Sequence, residues 1–437
     1  MEARASESPN LDAFVWYSDE LALESSITYG ELQQRSLSLA VQLQQRYQTG
    51  DRAVLVFPHG VDFIVAFIGC LQAGLIGVPI CPPRRRRPDS RVASIVENAE
   101  PAVVLSSPEY VEQRHEWCEK IPQLLQPTWY ACCQSEATAA DWQKPRIANS
   151  TIVFLQYTSG TTGDPKGVMV SHGNLQHNAL VIQDAIGPHD QRVFWLPMYH
   201  DMGLMGGMLQ TLFDGSTSHC ITPSVFLQRP MSWLQLMTQT GASFSGAPDF
   251  AYDLCVTRTT KESRRALDLS KWSVAVSGAE SIRPTTLHRF CEAFEPVGFR
   301  SETFQPGYGL AEATLVVSHT PRELPPNTLH VDASVMSEHT IELADPQSER
   351  SCELAGSGPA GTEQTLAIVK SNTNVPCAEG EIGEIWVHGP FFVRQRAELS
   401  SYSRPLCRVS PALQPSATVG PVGRANRLGH CWTCWTS

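Results

Sequence analysis

The chain has 437 residues, of which 42% are hydrophobic and 18% are charged. This composition excludes a disordered chain, and the length favours more than one core unit. The net charge of −11 argues against general nucleic-acid binding, because phosphate backbones attract basic surfaces. The N-terminus has no basic segment followed by an apolar core, so no signal peptide is predicted and a cytoplasmic location is expected.

Helical and strand-like patterns alternate in the first part of the chain. The spacing predicts helices over 29–47 and 62–73, and strands over 53–57, 77–80 and 102–105. This alternation implies βαβ units on a mostly parallel sheet. The most apolar stretch, residues 61–80, contains Asp62 and Gln72, so it is predicted to be buried rather than to span a membrane.

The same alternation returns between Ile152 and Val317 and predicts a second sheet. Beyond Pro321, short runs such as 365–370 and 383–389 predict a smaller β-rich unit. The expected fold class is therefore α/β, with two βαβ-layered sheets and a β-rich subdomain.

A glycine- and hydroxyl-rich segment, YTSGTTGDPKG at 157–167, follows an apolar strand at 152–155. Its glycines let backbone N–H groups approach phosphate oxygens, its Ser and Thr hydroxyls add donors, and Lys166 adds a positive charge. It is not a Walker A loop, because Pro165 precedes the lysine and Gly167 follows it. The ordered combination favours a phosphate-binding loop over a flexible turn.

Three further segments follow: WLPMYHDMG at 195–203, SGAE at 277–280 and GYGLAEAT at 307–314. Tyr308 lies between glycines, where a ring can lie flat against a purine, although it could be an ordinary turn tyrosine. Glu312 offers a hard oxygen ligand for Mg²⁺, or is a solvated carboxylate.

His200 and Asp201 could form a general base with its orienting partner, but the side chains of adjacent residues are expected to point apart. No base chemistry is assigned to His200, because the resemblance described below gives this histidine another role. Its other interpretation is a packed core histidine.

Together and in this order, the four segments resemble the landmarks of the adenylate-forming superfamily over residues 25–390. The closest resemblance is to the fatty acyl-AMP ligases. It rests on YHDMGL at 199–204, SGAPDFAYD at 245–253, YGLAEATL at 308–315, and an insertion within about 318–384. The resemblance implies a large N-terminal AMP-binding domain over 1–390.

The resemblance also implies an activity, in which ATP and Mg²⁺ activate a fatty acid to an acyl-adenylate with release of pyrophosphate. The acceptor would be the phosphopantetheine arm of an acyl carrier protein, or a polyketide or peptide synthase. A long-chain acyl-CoA ligase and an inactive nucleotide- or acyl-binding remnant are the alternatives. The chain length of the acyl group is not predicted.

The family's functional residues carry over to matching positions. The catalytic candidates are Lys166, His200 and Glu312, and in the family the histidine lines and gates the acyl pocket. The ATP- or AMP-binding candidates are Thr158, Ser159, Gly160, Thr161, Thr162, Gly163, Gly278, Ala279, Glu280, Tyr308, Gly309, Leu310 and Ala311. The acyl-pocket candidates are His200, Ser245 and Gly246, and the metal candidates are Thr162 and Glu312.

Residues 391–437 differ from the rest of the chain. Their net charge is +5, against −16 for residues 1–390, and no periodicity persists. The family's ribose-binding aspartate, hinge and lysine-bearing C-terminal lobe are not recognisable there. A frame change or truncated gene is favoured over a natural disordered tail, and such a chain is expected to adenylate poorly.

Two local patterns in the chain carry weaker hypotheses. Zinc binding at Cys431 and Cys434 is disfavoured, because a second ligand pair at suitable spacing is missing. The run Arg84–Arg87 is a solvated loop, or a docking patch for an acidic carrier protein.

Overall fold

The computed structural model describes residues 1–83, 89–132, 139–158, 165–322, 324–336 and 340–389, and the backbone of residues 394–395, 407–408 and 432–433. The α-helices are α1 (Glu2–Glu7), α2 (Tyr29–Gln44), α3 (Val61–Gln72), α4 (Ser90–Ala99), α5 (Pro108–Glu112), α6 (Arg114–Cys118), α7 (His172–Ile186), α8 (Gln210–Asp214), α9 (Pro223–Gln228), α10 (Met231–Thr240), α11 (Asp249–Thr257), α12 (Lys261–Arg264) and α13 (Pro284–Phe294). A π-helix spans Met202–Leu209.

The strands follow in the same chain order. They are β1 (Asp12–Tyr17), β2 (Leu23–Thr28), β3 (Arg52–Val56), β4 (Ile76–Pro79), β5 (Val103–Ser106), β6 (Thr128–Ala131), β7 (Ile152–Thr158), β8 (Lys166–Ser171), β9 (Gln191–Phe194), β10 (Thr217–Cys220), β11 (Phe244–Ala247), β12 (Val274–Ser277), β13 (Phe304–Gly309), β14 (Val316–His319), β15 (Thr328–Asp332), β16 (Ser351–Gly356), β17 (Thr365–Val369), β18 (Glu384–His388), β19 (Arg394–Gln395), β20 (Cys407–Arg408) and β21 (Trp432–Thr433).

The first of two compact units comprises residues 1–179, 195–222 and 393–402. Its main sheet has the strand order β19-β8-β7-β4-β3-β5-β6, in which β7 and β8 pair antiparallel and strands β7, β4, β3, β5 and β6 run parallel. A second group has the order β10-β1-β2. The parallel centre confirms the predicted βαβ units, because helices connect its strands.

Local sequence signals explain where α2 begins. Thr28 Oγ1 accepts a hydrogen bond from Glu31 N–H at 3.2 Å, and Glu31 Oε2 accepts one from Thr28 N–H at 3.0 Å. This reciprocal capping box satisfies two backbone donors at the helix start. The predicted helix therefore begins at Tyr29 as expected, but it ends at Gln44 rather than residue 47.

The second unit comprises residues 180–194, 223–392 and 403–437. Its strands β14-β13-β12-β11-β9 lie in this order, with β9, β11, β12 and β13 parallel and β14 antiparallel. Two smaller antiparallel sheets have the orders β15-β16-β21 and β17-β18-β20. The predicted second sheet and the predicted β-rich part are both confirmed, and the fold class is α/β.

Aromatic packing fixes α11 and α13 on the parallel strands of this unit. The ring centroid of Tyr252 lies 5.2 Å from that of Phe290 and 5.0 Å from that of Phe304, both edge-on. Phe290 and Phe304 are fully buried, as is Tyr252. Burying each ring contributes about 1.5–3 kcal/mol, so the two helices have a rigid base.

Most of residues 391–437, and the run Arg84–Arg87, lie outside the described residues. Within the tail, the backbone of β19 pairs with β8, that of β20 with β18 and that of β21 with β16. At these six residues the pairings contradict an unpacked tail. That residues 391–437 lie outside the family's domain stays a prediction, as does carrier docking at the arginine run. Among the described helices, none combines the length and apolar character needed to cross a membrane.

Candidate active site

The phosphate-loop hairpin, formed by β7 and β8 in the first unit, fixes the two ends of the glycine-rich segment. Thr158 pairs directly with Lys166 in the antiparallel register. Ser159, Gly160, Thr161, Thr162 and Gly163 lie outside the described residues. The predicted strand before the loop is confirmed as β7, and the structure adds a second strand, β8, directly after the loop.

Gly167 has a packing role in this hairpin. A Cβ at this position would lie 2.9 Å from Cζ of Tyr157, whose ring crosses from the partner strand. Tyr157 is buried and donates a hydrogen bond from its hydroxyl to Asn98 Oδ1 at 2.6 Å. Glycine is needed here because the ring occupies the space of a side chain.

The segment that carries His200 is joined to the same hairpin. Gln156 of β7 donates a hydrogen bond from Nε2 to the carbonyl oxygen of Tyr199 at 2.9 Å. Gly203, the second residue of the π-helix, lies against the carbonyl of Pro197, where a Cβ would clash. A π-helix is rare and often occurs at functional sites, and the sequence pattern did not reveal it.

His200 and Asp201 contact each other, so the expectation that adjacent side chains point apart is wrong here. His200 Nδ1 lies 2.7 Å from Asp201 Oδ1, which also accepts a hydrogen bond from Met202 N–H at 2.7 Å. The start of the π-helix turns both side chains the same way. The hydrogen bond to Asp201 raises the pKa of His200.

The motifs of the second unit emerge at one edge of its parallel strands. Ala247 at the end of β11 pairs with Ser277 at the end of β12, and Ser277 pairs with Pro306 in β13. Ligands of open α/β sheets bind outside the carboxyl ends of the strands. The segments 278–280 and 307–309 therefore occupy the edge at which a ligand is expected.

Ser245, an acyl-pocket candidate, uses its hydroxyl within the core. Its side chain is fully buried, donates to the carbonyl of Val193 at 2.7 Å and accepts from Trp233 Nε1 at 2.9 Å. Gly246 is the next buried residue of β11. The acyl-pocket assignments of His200, Ser245 and Gly246 stay predictions.

Residues 278–283 form a strained turn that is hydrogen-bonded to neighbouring segments. It is called the adenine-side turn after the role predicted for it. Ala279 has φ of 65°, a conformation that a residue with a Cβ rarely adopts. Glu280 Oε1 accepts a hydrogen bond from Phe250 N–H at 2.6 Å, near the start of α11. A Cβ on Gly278 would lie 3.0 Å from the carbonyl oxygen of Gly307.

Tyr308 and the loop after it form a tight antiparallel turn. Leu310 N–H donates to the carbonyl of Leu315 at 2.9 Å, and a Cβ on Gly309 would clash with that carbonyl. Between them lie a short 3₁₀ helix at Ala311–Ala313 and Thr314, whose φ is 71°. The Tyr308 ring packs partly on a buried apolar cluster. Its contact with a purine stays a prediction.

The described residues contain no group of three or more His, Cys, Asp or Glu side chains able to hold a metal. Glu312 is half-buried in the loop after Tyr308, and Thr162 lies outside the described residues. Mg²⁺ commonly takes one or two carboxylates and completes its shell with phosphates and water. Glu312, the one metal candidate among the described residues, is a single carboxylate and so fits a metal that arrives with a nucleotide.

Asp249 is an interaction centre that sequence reasoning missed. It is 1% exposed and accepts hydrogen bonds from Arg283 and Thr286. Asp249 lies in the segment SGAPDFAYD at 245–253 that carries the family resemblance, and it follows Pro248 at a helix start, but neither signal gave it a role. Its partners lie more than thirty residues away, so spacing could not identify them.

The family model described as AMP-binding enzyme matches residues 1–395. The chain is 36% identical over 375 residues to the medium-chain-fatty-acid–[acyl-carrier-protein] ligase JamA of Moorena producens, covering 84% of this chain and 63% of JamA. It is 35% identical over 386 residues to the long-chain-fatty-acid–AMP ligase FadD23 of Mycobacterium tuberculosis, covering 85% of this chain and 65% of FadD23. The chain thus spans less than two thirds of each of these relatives.

Structural similarity extends over the whole chain. A fatty acyl-adenylate ligase from Legionella pneumophila, solved in complex with acyl adenylate and pyrophosphate, superimposes with a TM-score of 0.88 at 34% identity. The match covers 100% of this chain and 76% of the Legionella chain.

Proposed function

Because this chain belongs to the AMP-binding enzyme family, we propose that it activates a fatty acid with ATP to an acyl-adenylate. The observation that carries the proposal is the edge of parallel strands at which the segments 278–280 and 307–309 emerge. The likeness to relatives named as fatty-acid ligases supports a fatty acid as the carboxylate.

The reaction joins a carboxylate oxygen of the fatty acid to the α-phosphorus of ATP. The bond between that phosphorus and the bridging oxygen to the β-phosphate breaks, and its electron pair leaves with pyrophosphate. Such chemistry depends on positioning and on stabilising the charge of the phosphates. Mg²⁺, held by Glu312 and by Thr162 of the loop, would supply positive charge to the phosphates when bound.

We assign the residues as follows. Thr158 and Lys166 bind phosphate oxygens from the ends of the hairpin, with the loop residues Ser159, Gly160, Thr161, Thr162 and Gly163 between them. Gly278, Ala279, Tyr308, Gly309, Leu310 and Ala311 bind the nucleoside. Glu280 acts indirectly, because its carboxylate already accepts the Phe250 amide. His200 borders the acyl chain, with its charge set by Asp201.

The acyl acceptor is proposed to be the phosphopantetheine thiol of an acyl carrier protein. This assignment follows from the likeness to JamA, whose name specifies an acyl-carrier-protein ligase. A CoA ligase is the competing assignment. Incubation with fatty acid, ATP and either CoA or a phosphopantetheinylated carrier separates the two by which thioester forms.

The test of the proposal has two readouts on the full chain. Calorimetry measures affinity for ATP, adenosine and a non-hydrolysable acyl-adenylate mimic in which a sulfamate replaces the phosphate. A second assay measures pyrophosphate release with and without fatty acid. Binding of the mimic with fatty-acid-dependent pyrophosphate release supports the proposal. Binding without release indicates a nucleotide-binding remnant, and the absence of both overturns the proposal.

Lys166→Ala tests the phosphate assignment separately. The affinity for ATP should fall about tenfold, because a charge-assisted contact to phosphate is lost. The affinity for adenosine, which carries no phosphate, should stay unchanged. Equal ATP affinity in the variant and the parent would contradict the role of Lys166.

A further inference from the structure

We propose that Asp249 is a positioning residue for nucleoside binding, whose buried carboxylate holds the adenine-side turn in its strained shape. Asp249 itself touches no ligand in this proposal and acts through Arg283. The inference rests on the proposed function, because that function assigns the turn 278–283 to the nucleoside.

Both oxygens of the Asp249 carboxylate accept hydrogen bonds. Oδ1 accepts the backbone N–H of Arg283 at 3.0 Å, and Oδ2 accepts Nε of Arg283 at 2.7 Å and the hydroxyl of Thr286 at 3.0 Å. Burial of an ionised carboxylate is costly unless such donors replace water. Three donors therefore fix the orientation of this group and, in return, the position of the Arg283 backbone.

The turn needs this support because its backbone is strained. Ala279 has φ of 65°, and a residue held in such a conformation costs about 1–3 kcal/mol and persists only where its surroundings enforce it. Two further bonds connect the turn to the same region of the chain. Gly278 N–H donates to the carbonyl of Ala247 at 3.4 Å, and Glu280 accepts the amide of Phe250 at 2.6 Å.

Asp249 supplies the buried carboxylate among these contacts, and it acts at the C-terminal end of the turn. Residues 247–250 thus bind the turn at its start, its middle and its end. The geometry connects the helix start at Asp249 to the nucleoside-binding backbone, although the two are separated by about thirty residues in the sequence.

A second ion pair between the same two helices provides a matched control. Asp253 of α11 contacts Arg289 of α13 through Oδ1 and Nη1 at 2.6 Å. Their side chains are 29% and 50% exposed, against 1% for Asp249, and the contact joins two side chains without a backbone atom of the turn. Loss of the Asp253 pair removes a helix–helix contact and breaks no hydrogen bond of the turn.

The experiment compares Asp249→Asn with Asp253→Asn in the full chain. Asparagine keeps the size of aspartate but offers a single acceptor oxygen. Its amide nitrogen would face one of the donors of Arg283 or Thr286 and could not accept a hydrogen bond from it. Hydrogen exchange of the free protein measures opening of residues 278–283, and calorimetry measures the affinity for adenosine. We expect faster exchange in the turn and adenosine binding weakened about tenfold for Asp249→Asn, with both readouts unchanged for Asp253→Asn.

The outcomes separate this inference from the proposed function. Parental exchange in the turn of Asp249→Asn would overturn the positioning role, whatever the binding result. Faster exchange with unchanged adenosine affinity would overturn the link to the nucleoside. Failure of the parent to bind adenosine and the acyl-adenylate mimic would overturn the proposed function and that link, while exchange would still decide whether Asp249 holds the turn.

Thr286→Val provides a second variant in case Asp249→Asn does not fold. It removes one of the three donors and keeps the β-branched shape in the buried site. A smaller, two- to threefold loss of adenosine affinity is expected, roughly the effect of one weakened contact. Unchanged exchange and affinity in this variant would contradict the network.

Discussion

The phosphate-loop hairpin is built by pairing two strands that are neighbours in the chain, whereas the adenine-side turn is held by a helix that begins about thirty residues earlier. In the hairpin, Thr158 and Lys166 are paired through β7 and β8, and Tyr157 packs on Gly167. In the turn, Asp249 and the Phe250 amide bind Arg283 and Glu280.

This difference shows two ways to hold a segment of backbone in a fixed shape. The hairpin relies on strand pairing, which forms from local sequence. The turn adopts a strained conformation at Ala279, and long-range hydrogen bonds must offset the strain. Substitutions in the two regions should therefore differ in the size of their effects and in the property of the protein that they change.

The largest expected effect is that of Asp249→Ala on the stability of the protein. We expect the free energy of unfolding in urea to fall by about 3 kcal/mol, because three donors lose a buried acceptor. Asp253→Ala should cost less than about 1 kcal/mol, since its pair is partly exposed. Equal losses for the two variants would mean that the turn is not specially dependent on Asp249.

Next in size is the effect of Gly167→Ala in the hairpin. The added methyl group meets the Tyr157 ring at 2.9 Å, so the free energy of unfolding should fall by about 2 kcal/mol. Gly77→Ala in β4 of the same sheet is the control, because its Cβ would meet neighbours at 3.4 Å or more. A loss at Gly77 as large as that at Gly167 would refute the steric explanation.

A smaller effect is expected for Tyr308→Leu, and on binding rather than folding. Leucine keeps apolar packing on the cluster around Val317 and Ile385 but loses the aromatic face. Adenosine affinity should fall by about 1 kcal/mol, with little change in the unfolding midpoint. Leu366→Ala, which packs on the same cluster, should show the opposite pattern. Loss of stability alone in Tyr308→Leu would make the tyrosine a packing residue.

The smallest expected effect is the pH dependence set by His200 and Asp201. Asp201 raises the pKa of His200 above its unfolded value, so this pair stabilises the protein fully below that unfolded pKa. The contribution is lost as the pH rises through the higher folded pKa.

Titration of the His200 ring by NMR checks this directly, and Asp201→Asn should lower the His200 pKa. The stability difference between the parent and His200→Gln should be below about 1 kcal/mol, because the imidazole is 56% exposed. It should also be larger at pH 5.5 than at pH 8.5. A difference that grows with pH would have the wrong sign for a raised pKa.

A feature could be predicted from sequence when the residues that produce it lie close together in the chain. The helix that begins at Tyr29 was predicted from its spacing of apolar residues, and the structure shows that its start is set by the Thr28 capping box, which lies within four residues. The contact between His200 and Asp201 was wrongly excluded, because a π-helix start changes the direction of adjacent side chains. The role of Ser245 in the core, bonded to Trp233, could not be read from a buried strand pattern.

The sequence by itself determined the α/β class, the alternation of strands and helices, and the order of the motifs that match an AMP-binding family. These features depend on periodicity and on short-range chemistry, which each segment carries alone. Only the tertiary structure decided that Gly167 accommodates the Tyr157 ring and that the Asp249 carboxylate holds Arg283. Both depend on which side chains meet across a strand pair or between two helices, and that is set by packing rather than by spacing along the chain.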